Sequence, residues 1–407
     1  VLKNEQVVRP SARRIALLDV LRGTAILGTL GTNIWILTNP EGIIGFLNGA
    51  FYPGFTSLAA GAETLLRFLA NGKSLALLTL LFGVGLEIQR QSAARRGRRW
   101  PGRYLWRATL LLVDGFLHYL LVVEFDVLMG YAVTSVVVAY LVATSARASR
   151  GWLVAAGALH VLLVGLATAA LALLPAGQGG NPPPVTLYTE GGYLDQIRFR
   201  WEYLPLMRAE AVFILPMAVF LFLLGARLYR AGVFGADERG RMLRRRMLAV
   251  GLGVGLPLNV ATTVSGLAAL VLVDRYLIPP LVAIGLIGLV GWLVDRRGQR
   301  DGQPGQGWLA RRLALVGRMA LSCYMLQNLL GVVLCYGWGF GLAARFGANR
   351  TLWTVVLFAG ICAALMAFST LWLRRFSQGP VEIVWRWAYE RPFRRSAESD
   401  RVAAAPR

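Results

Sequence analysis

Apolar residues run through this chain in blocks of about 17 to 27 positions, separated by short stretches rich in arginine, glycine and proline. A helix needs roughly 20 such residues to cross the hydrocarbon core of a bilayer. Ten blocks qualify: residues 15–37, 73–89, 105–122, 127–144, 152–174, 207–228, 247–273, 277–294, 319–340 and 352–373. The pattern predicts an all-α polytopic membrane protein, a helical bundle of about ten transmembrane helices. Blocks two and three are short, and Pro257 predicts a kink in the seventh span because proline removes a backbone hydrogen bond. The chain divides into an N-terminal tail (1–14), a first membrane half (15–174), an outer loop (175–206), a second membrane half (207–374) and an amphipathic tail (375–407). The first apolar run does not end in a small-residue cleavage site, so it is read as a retained helix and not a signal peptide.

Composition agrees with this division. Only 16% of the 407 residues are charged, against about 25% in a soluble domain. The net charge of +22 does not point to nucleic acid, because the basic residues sit between apolar blocks and not on a hydrophilic module. Sorted by alternate loops, 34 of the 43 lysines and arginines fall on one set and 8 on the other, with Arg22 inside the first span. The positive-inside rule then predicts both termini in the cytoplasm. Cys323, Cys335 and Cys362 lie in apolar stretches without CxxC spacing, and two histidines with no HExxH pattern argue against a metal cofactor.

Two outer segments are long. Within residues 38–72, Glu63 and Arg67 stand four apart among apolar residues, which predicts a short amphipathic helix on the outer surface. Residues 175–206 open with a loop-like run at 177–184 and continue into an aromatic and charged segment at 188–203, read either as a substrate-facing loop or as an interfacial anchor. On the inner side, residues 382–394 mix Trp385, Trp387 and Tyr389 with arginines, a composition suited to docking on anionic lipid or on the bundle. Small-residue spacings such as Gly251/Gly255 and Gly285/Gly288 are packing signals.

Five patterns follow one another along the chain. They are LDVLRG at 18–23 with Asn33 ten residues beyond, KSLALLTLLFGVGL at 73–86, GFLHYLLVVEFDVLMGYA at 115–132, GRMALSCYMLQN at 317–328 and GPVEIVWR at 379–386. In this order they resemble the YeiB-type family of bacterial inner-membrane proteins, whose C-terminal half is a domain of unknown function. The LDxxRG start is also similar to that of transmembrane acyltransferases of the heparan-glucosaminide acetyltransferase type and of the polysaccharide O-acyltransferases. That resemblance implies transfer of an acyl group from cytoplasmic acyl-CoA to a sugar on the far side. The O-acyltransferases carry a histidine near the outer end of the first span, where this chain has Asn33, so a catalytic assignment is not inherited directly.

Ionisable groups within a span are costly unless paired, which makes each a functional candidate. Asp19 and Arg22 share a helical face, as a structural lock or as part of a cationic seat for acyl-CoA phosphates that Arg107 would extend. His118 lies about 20 Å from the inner end of its span. Glu124 or Asp126, in the next turn, would hold the imidazole tautomer of a base–carboxylate pair, whereas a plain packing histidine is the alternative. His160, with no acidic neighbour in sequence, is read as packing. Lys73 either snorkels or, clustered with Asn33 and Asp126, orients an anionic substrate. Tyr324, Gln327 and Asn328 supply interhelical hydrogen bonds or ligand contacts, and Glu382 and Arg386 form a helical pair.

Three functions are expected: a membrane acyltransferase, as the resemblance implies, with acyl-CoA as donor substrate and His118, Asp126 or Glu124 as catalytic groups; a transporter of a small or lipid-like molecule; or a non-catalytic scaffold. The expected partners are the lipid bilayer and a small-molecule or glycan acceptor, with no nucleic acid and with homo-oligomerisation open.

Overall fold

A computed structural model describes residues 16–48, 52–173, 185–301 and 307–403. The tail at 1–14 and the loop run at 177–184 lie outside the described residues. The first half comprises α1 (Ala16–Leu37), α2 (Leu58–Ala70), α3 (Lys73–Arg95), α4 (Arg103–Leu121), α5 (Leu128–Leu141) and α6 (Ala146–Leu173). Then come α7 (Tyr193–Glu202), α8 (Ala211–Arg230), α9 (Glu238–Val250), α10 (Leu256–Val264) and α11 (Pro279–Asp301). The series ends with α12 (Trp308–Arg318), α13 (Ala320–Cys335), α14 (Arg350–Trp372) and α15 (Pro380–Ala403). Among the described residues there is no strand.

Nine of the ten apolar blocks each fall mainly on one helix, and the seventh is divided among α9, a π-helical turn and α10. Seven helical segments are long and apolar enough to cross a membrane, and an eighth results if α12 and α13 count as one bent span. Helix α4 carries Arg107, Asp114 and His118 within its apolar run, and α5 has only 14 residues. Polar groups are buried within a largely apolar interior, and apolar side chains also cover much of the outside. Asp19, His118, Arg200, Arg244 and Asp274 are buried, while Leu112, Val113 and Leu117 of α4 and Val154, Leu159, Leu162 and Leu166 of α6 are exposed. So broad an apolar exterior is stable where the surroundings are lipid and not water. The chain is a membrane protein.

Close backbone approaches set the bundle. Helix α1 packs along α12, and a Cβ on Gly23 would stand 1.9 Å from the Leu313 carbonyl oxygen. A Cβ on Gly317 would stand 1.9 Å from the Asp19 carbonyl oxygen, so the two helices cross where only glycine fits. The first and fourth sequence patterns therefore meet through their glycines. Helices α12 and α13 then diverge by 91° at Met319.

Several expectations need correction. Residues 308–318 are not a connecting loop but the helix that flanks α1. The seventh span ends early, at Val264, and contains a π-helical turn over Gly251–Gly255 immediately before Pro257. Gly251 lies against the backbone of Gly285, and the wider turn leads into a new helix whose first turn holds the proline. Helix α2 is amphipathic, but its polar pair faces inward. Glu63 and Arg67 are bridged and buried, and Arg350 donates to Glu63 at 2.7 Å, while Leu58, Leu65 and Leu69 point outward. The Glu382 carboxylate accepts from the Leu321 and Ser322 amides at 2.9 and 3.2 Å, capping α13 instead of pairing with Arg386.

Ion pairs tie helix ends together in two sets. Glu87 at the end of α3 accepts from Arg90 and Arg230, and Arg230 also reaches the Val142 carbonyl beyond α5. In the opposite set, Glu124 meets Arg200 and Glu210 meets Arg275.

Candidate functional site

The imidazole of His118 is buried, as is its partner. Its Nδ1 lies 2.9 Å from Asp126 Oδ1, across the tight connection between α4 and α5. Gly115 permits this connection, because a Cβ there would stand 2.6 Å from the Met129 amide nitrogen. Asp126 is held from two further sides. The Met129 amide donates to Oδ2 at 3.1 Å, and the Tyr324 hydroxyl lies 3.4 Å from Oδ1. A carboxylate accepts only, so Nδ1 carries the proton and Nε2 presents its lone pair. That lone pair faces α13: Asn328 Nδ2 is 3.4 Å from Nε2. The Asn328 amide is oriented in turn by Asn33 of α1, whose Nδ2 donates to Asn328 Oδ1 at 3.2 Å. Three helices thus bring together His118, Asp126, Tyr324, Asn328 and Asn33.

Glu124 does not hold the imidazole. It pairs with Arg200 at 3.0 Å and accepts from the Tyr188 hydroxyl at 3.3 Å. Burial and the Glu124 charge raise the Tyr188 hydroxyl well above its ordinary range, so it remains a proton donor to that carboxylate. Arg208 donates to the carbonyls of Asp126 and Glu124 at 2.7 and 2.6 Å. The aromatic segment from Tyr188 onward is therefore a cap fastened over the end of the dyad, and Glu124 is its anchor.

The other candidates separate. Asp19 and Arg22 are bridged at 3.3 Å. Arg107 lies over the Trp385 ring at 4.4 Å and within electrostatic reach of Arg22, so these cations share one mouth of the bundle with α15. Gln327 donates to Thr29 at 3.3 Å and faces α1 instead of the dyad. Lys73 joins neither Asn33 nor Asp126. Its ammonium donates to the Phe68 carbonyl and sits in the field of Asp274. Asp274 lies in a π-helical turn over Val273–Leu277 and accepts from Asn259, Thr262 and Thr263 at 2.6, 2.8 and 2.8 Å, and also from Tyr52. His160 donates its Nε2 hydrogen to the Tyr276 carbonyl at 3.0 Å, a packing role.

One residue escaped the sequence reading. Asp114 is half-buried on α4 and one of its carboxylate oxygens has no hydrogen-bond partner. It stands four residues before His118 and seven after Arg107, spacings that share one helical face. The i,i+4 pairing of a carboxylate and a histidine inside one span was the available signal. Arg107, Asp114 and His118 form a polar stripe from the arginine-rich end of α4 to the dyad.

A family described as a protein of unknown function, DUF418, matches residues 228–391. The uncharacterized protein YeiB of Escherichia coli K12 is 31% identical over 391 residues, covering 91% of this chain and 94% of that protein. The chain belongs to the YeiB family. Another relative, the uncharacterized protein YxaH of Bacillus subtilis strain 168, is 26% identical and covers 92% of the chain and 94% of its own length. An uncharacterized 39.9 kDa protein from the amylase 3′ region of Bacillus acidopullulyticus is 24% identical over 93% of the chain and 95% of its own length. In this fold the first, third and fourth patterns supply the dyad and its supports, and the fifth caps α13.

Proposed function

We propose that this YeiB-family protein is a transmembrane acyltransferase that takes an acyl group from cytoplasmic acyl-CoA and delivers it to an acceptor, a sugar or other envelope molecule, at or beyond the outer face. The observation that carries the reading is the buried His118–Asp126 pair at 2.9 Å, whose Nε2 lone pair faces Asn328 at 3.4 Å at the end of the Arg107–Asp114–His118 stripe. Acyl transfer from a thioester needs a base to take the proton of an attacking hydroxyl or amine. His118 Nε2 takes that proton, Asp126 stabilises the resulting imidazolium, and the thiolate leaves toward the arginine-rich end. The acceptor's carbon–oxygen or carbon–nitrogen bond to the acyl carbon forms as the carbon–sulfur bond breaks, and the imidazolium returns its proton to the CoA thiolate. The charge asymmetry of 34 against 8 supports a bacterial cytoplasmic membrane with both termini inside.

The test uses detergent-purified protein. Native mass spectrometry is expected to find a copurified CoA thioester, and added acetyl-CoA is expected to release thiol. His118→Ala should abolish release while size exclusion and circular dichroism are unchanged. Release that survives this substitution removes His118 from the mechanism.

Transport of a small or lipid-like molecule is the second reading, favoured by the buried Asp274 cluster in a π-helical turn beside a second π-helical turn over Gly251–Gly255. It requires solute flux in vesicles without consumption of thioester, and Asp274→Asn should stop that flux.

A further inference from the structure

We propose that the cavity between the α3–α4 connection and α15 binds the nucleotide end of the coenzyme, a purine nucleotide bearing several phosphates. The proposal rests on the acyl-transfer reading for its choice of nucleotide. The cavity itself argues for the chemistry. It is an open cleft of about 460 Å³, within the usual range of ligand sites. Arg96, Arg98, Arg99, Arg103 and Arg107 line it, and no carboxylate is among its described lining residues. Arginines gathered around one space attract a multiply charged anion, and the guanidinium fork matches phosphate oxygens.

The same walls carry flat rings. Trp100 donates its Nε1 hydrogen to the Ala139 carbonyl at 2.7 Å and packs on Tyr104 with ring centres 4.9 Å apart, so its face is fixed before any ligand arrives. Tyr389 comes from α15, where it lies parallel to Trp385 beneath Arg107. Arginines interleaved with aromatic rings bind a base by stacking as well as its phosphates by charge. A phospholipid headgroup offers phosphate but no ring, so the aromatic walls favour a nucleotide. The cavity at Arg241, Arg244 and Arg245 makes the contrast: it contains Asp295, which bridges Arg244 at 2.6 Å and offsets the positive charge.

Position completes the argument. Arg107 belongs both to the cavity and to the stripe that ends at His118, eleven residues on and about 17 Å along the helix. An extended pantetheine arm is of that order, and it would pass Asp114 with its thioester at the dyad.

The experiment titrates adenosine 3′,5′-bisphosphate and CoA into the full-length purified protein by calorimetry. Both are expected to bind and to compete. The double variant Arg98→Ala and Arg99→Ala, at two exposed positions where folding is not at stake, should weaken both by about tenfold or more. Arg103→Ala is the second variant, with the same expectation, and Arg245→Ala in the other basic cavity should change nothing. Wild-type affinity in the Arg98/Arg99 and Arg103 variants overturns the site while leaving acyl transfer intact. Binding of phosphatidylglycerol micelles with no binding of either nucleotide overturns it in favour of a lipid headgroup. Nucleotide binding that the variants weaken, in a protein that releases no CoA, keeps the site and refutes acyl transfer instead.

Discussion

Substituting Gly317 by alanine tests the packing on which the site is built. The added Cβ would stand 1.9 Å from the Asp19 carbonyl oxygen and 2.9 Å from the Gly23 amide nitrogen, whereas ordinary contact begins at 3.4 Å. The neighbours are backbone atoms, so no side chain can rotate away and α1 must part from α12 by about 1.5 Å. Overpacking of this kind costs about 1–3 kcal/mol or more, and a gap of half that width forfeits about a quarter to a half of each dispersion contact across the interface. Alanine returns about 1 kcal/mol in helix propensity. The net effect is a loss of about 2 kcal/mol, read as a lowered unfolding temperature by intrinsic tryptophan fluorescence in detergent. Gly360→Ala is the control: that glycine lies within α14 with nothing inside 4 Å of its built Cβ, so alanine should leave stability unchanged or raise it. A Gly317→Ala protein that unfolds no earlier than Gly360→Ala would refute the glycine crossing.

Other substitutions probe the site and its supports. Asp126→Asn should lower kcat for thiol release by about 10²–10⁴ with KM little changed, and Asp126→Glu should recover part of the loss. Arg200→Met leaves the buried Glu124 charge uncompensated and should cost about 3–5 kcal/mol in thermal or denaturant unfolding, with Glu124→Gln added to it restoring stability in part. Glu382→Gln weakens the cap on α13 and should cost about 1 kcal/mol, measured as a drop in unfolding temperature.

Much of the fold was legible because crossing a bilayer imposes a length. Apolar blocks became helices, the seventh interrupted by a π-helical turn and ending at Val264. Boundaries were less legible. Helix α3 runs on to Arg95 through Glu87, Arg90 and Gln91, whose polar groups satisfy one another on the helix surface. The π-helical turn before Pro257 depends on Gly251 meeting Gly285, a contact that no local pattern encodes. In the site, His118 and Asp126 were readable because eight residues and one tight turn separate them. The same proximity made Glu124 an equal candidate, and only Arg200, 76 residues later, takes it away. Asn33 and Asn328 are 295 residues apart, so their meeting rests on the α1–α13 contact. Lys73 turned toward Asp274 because α11 packs on α3, a tertiary fact absent from its neighbours in sequence.

Inside-out membrane vesicles carrying the protein, supplied externally with acetyl-CoA labelled in its acetyl group, test the central claim most directly. The expected result is label transferred to non-protein material within the vesicles, with stoichiometric release of CoA outside, and neither in vesicles carrying equal amounts of the His118→Ala protein. Label transfer and CoA release that match those of vesicles lacking the protein, or that persist undiminished in His118→Ala, would contradict it.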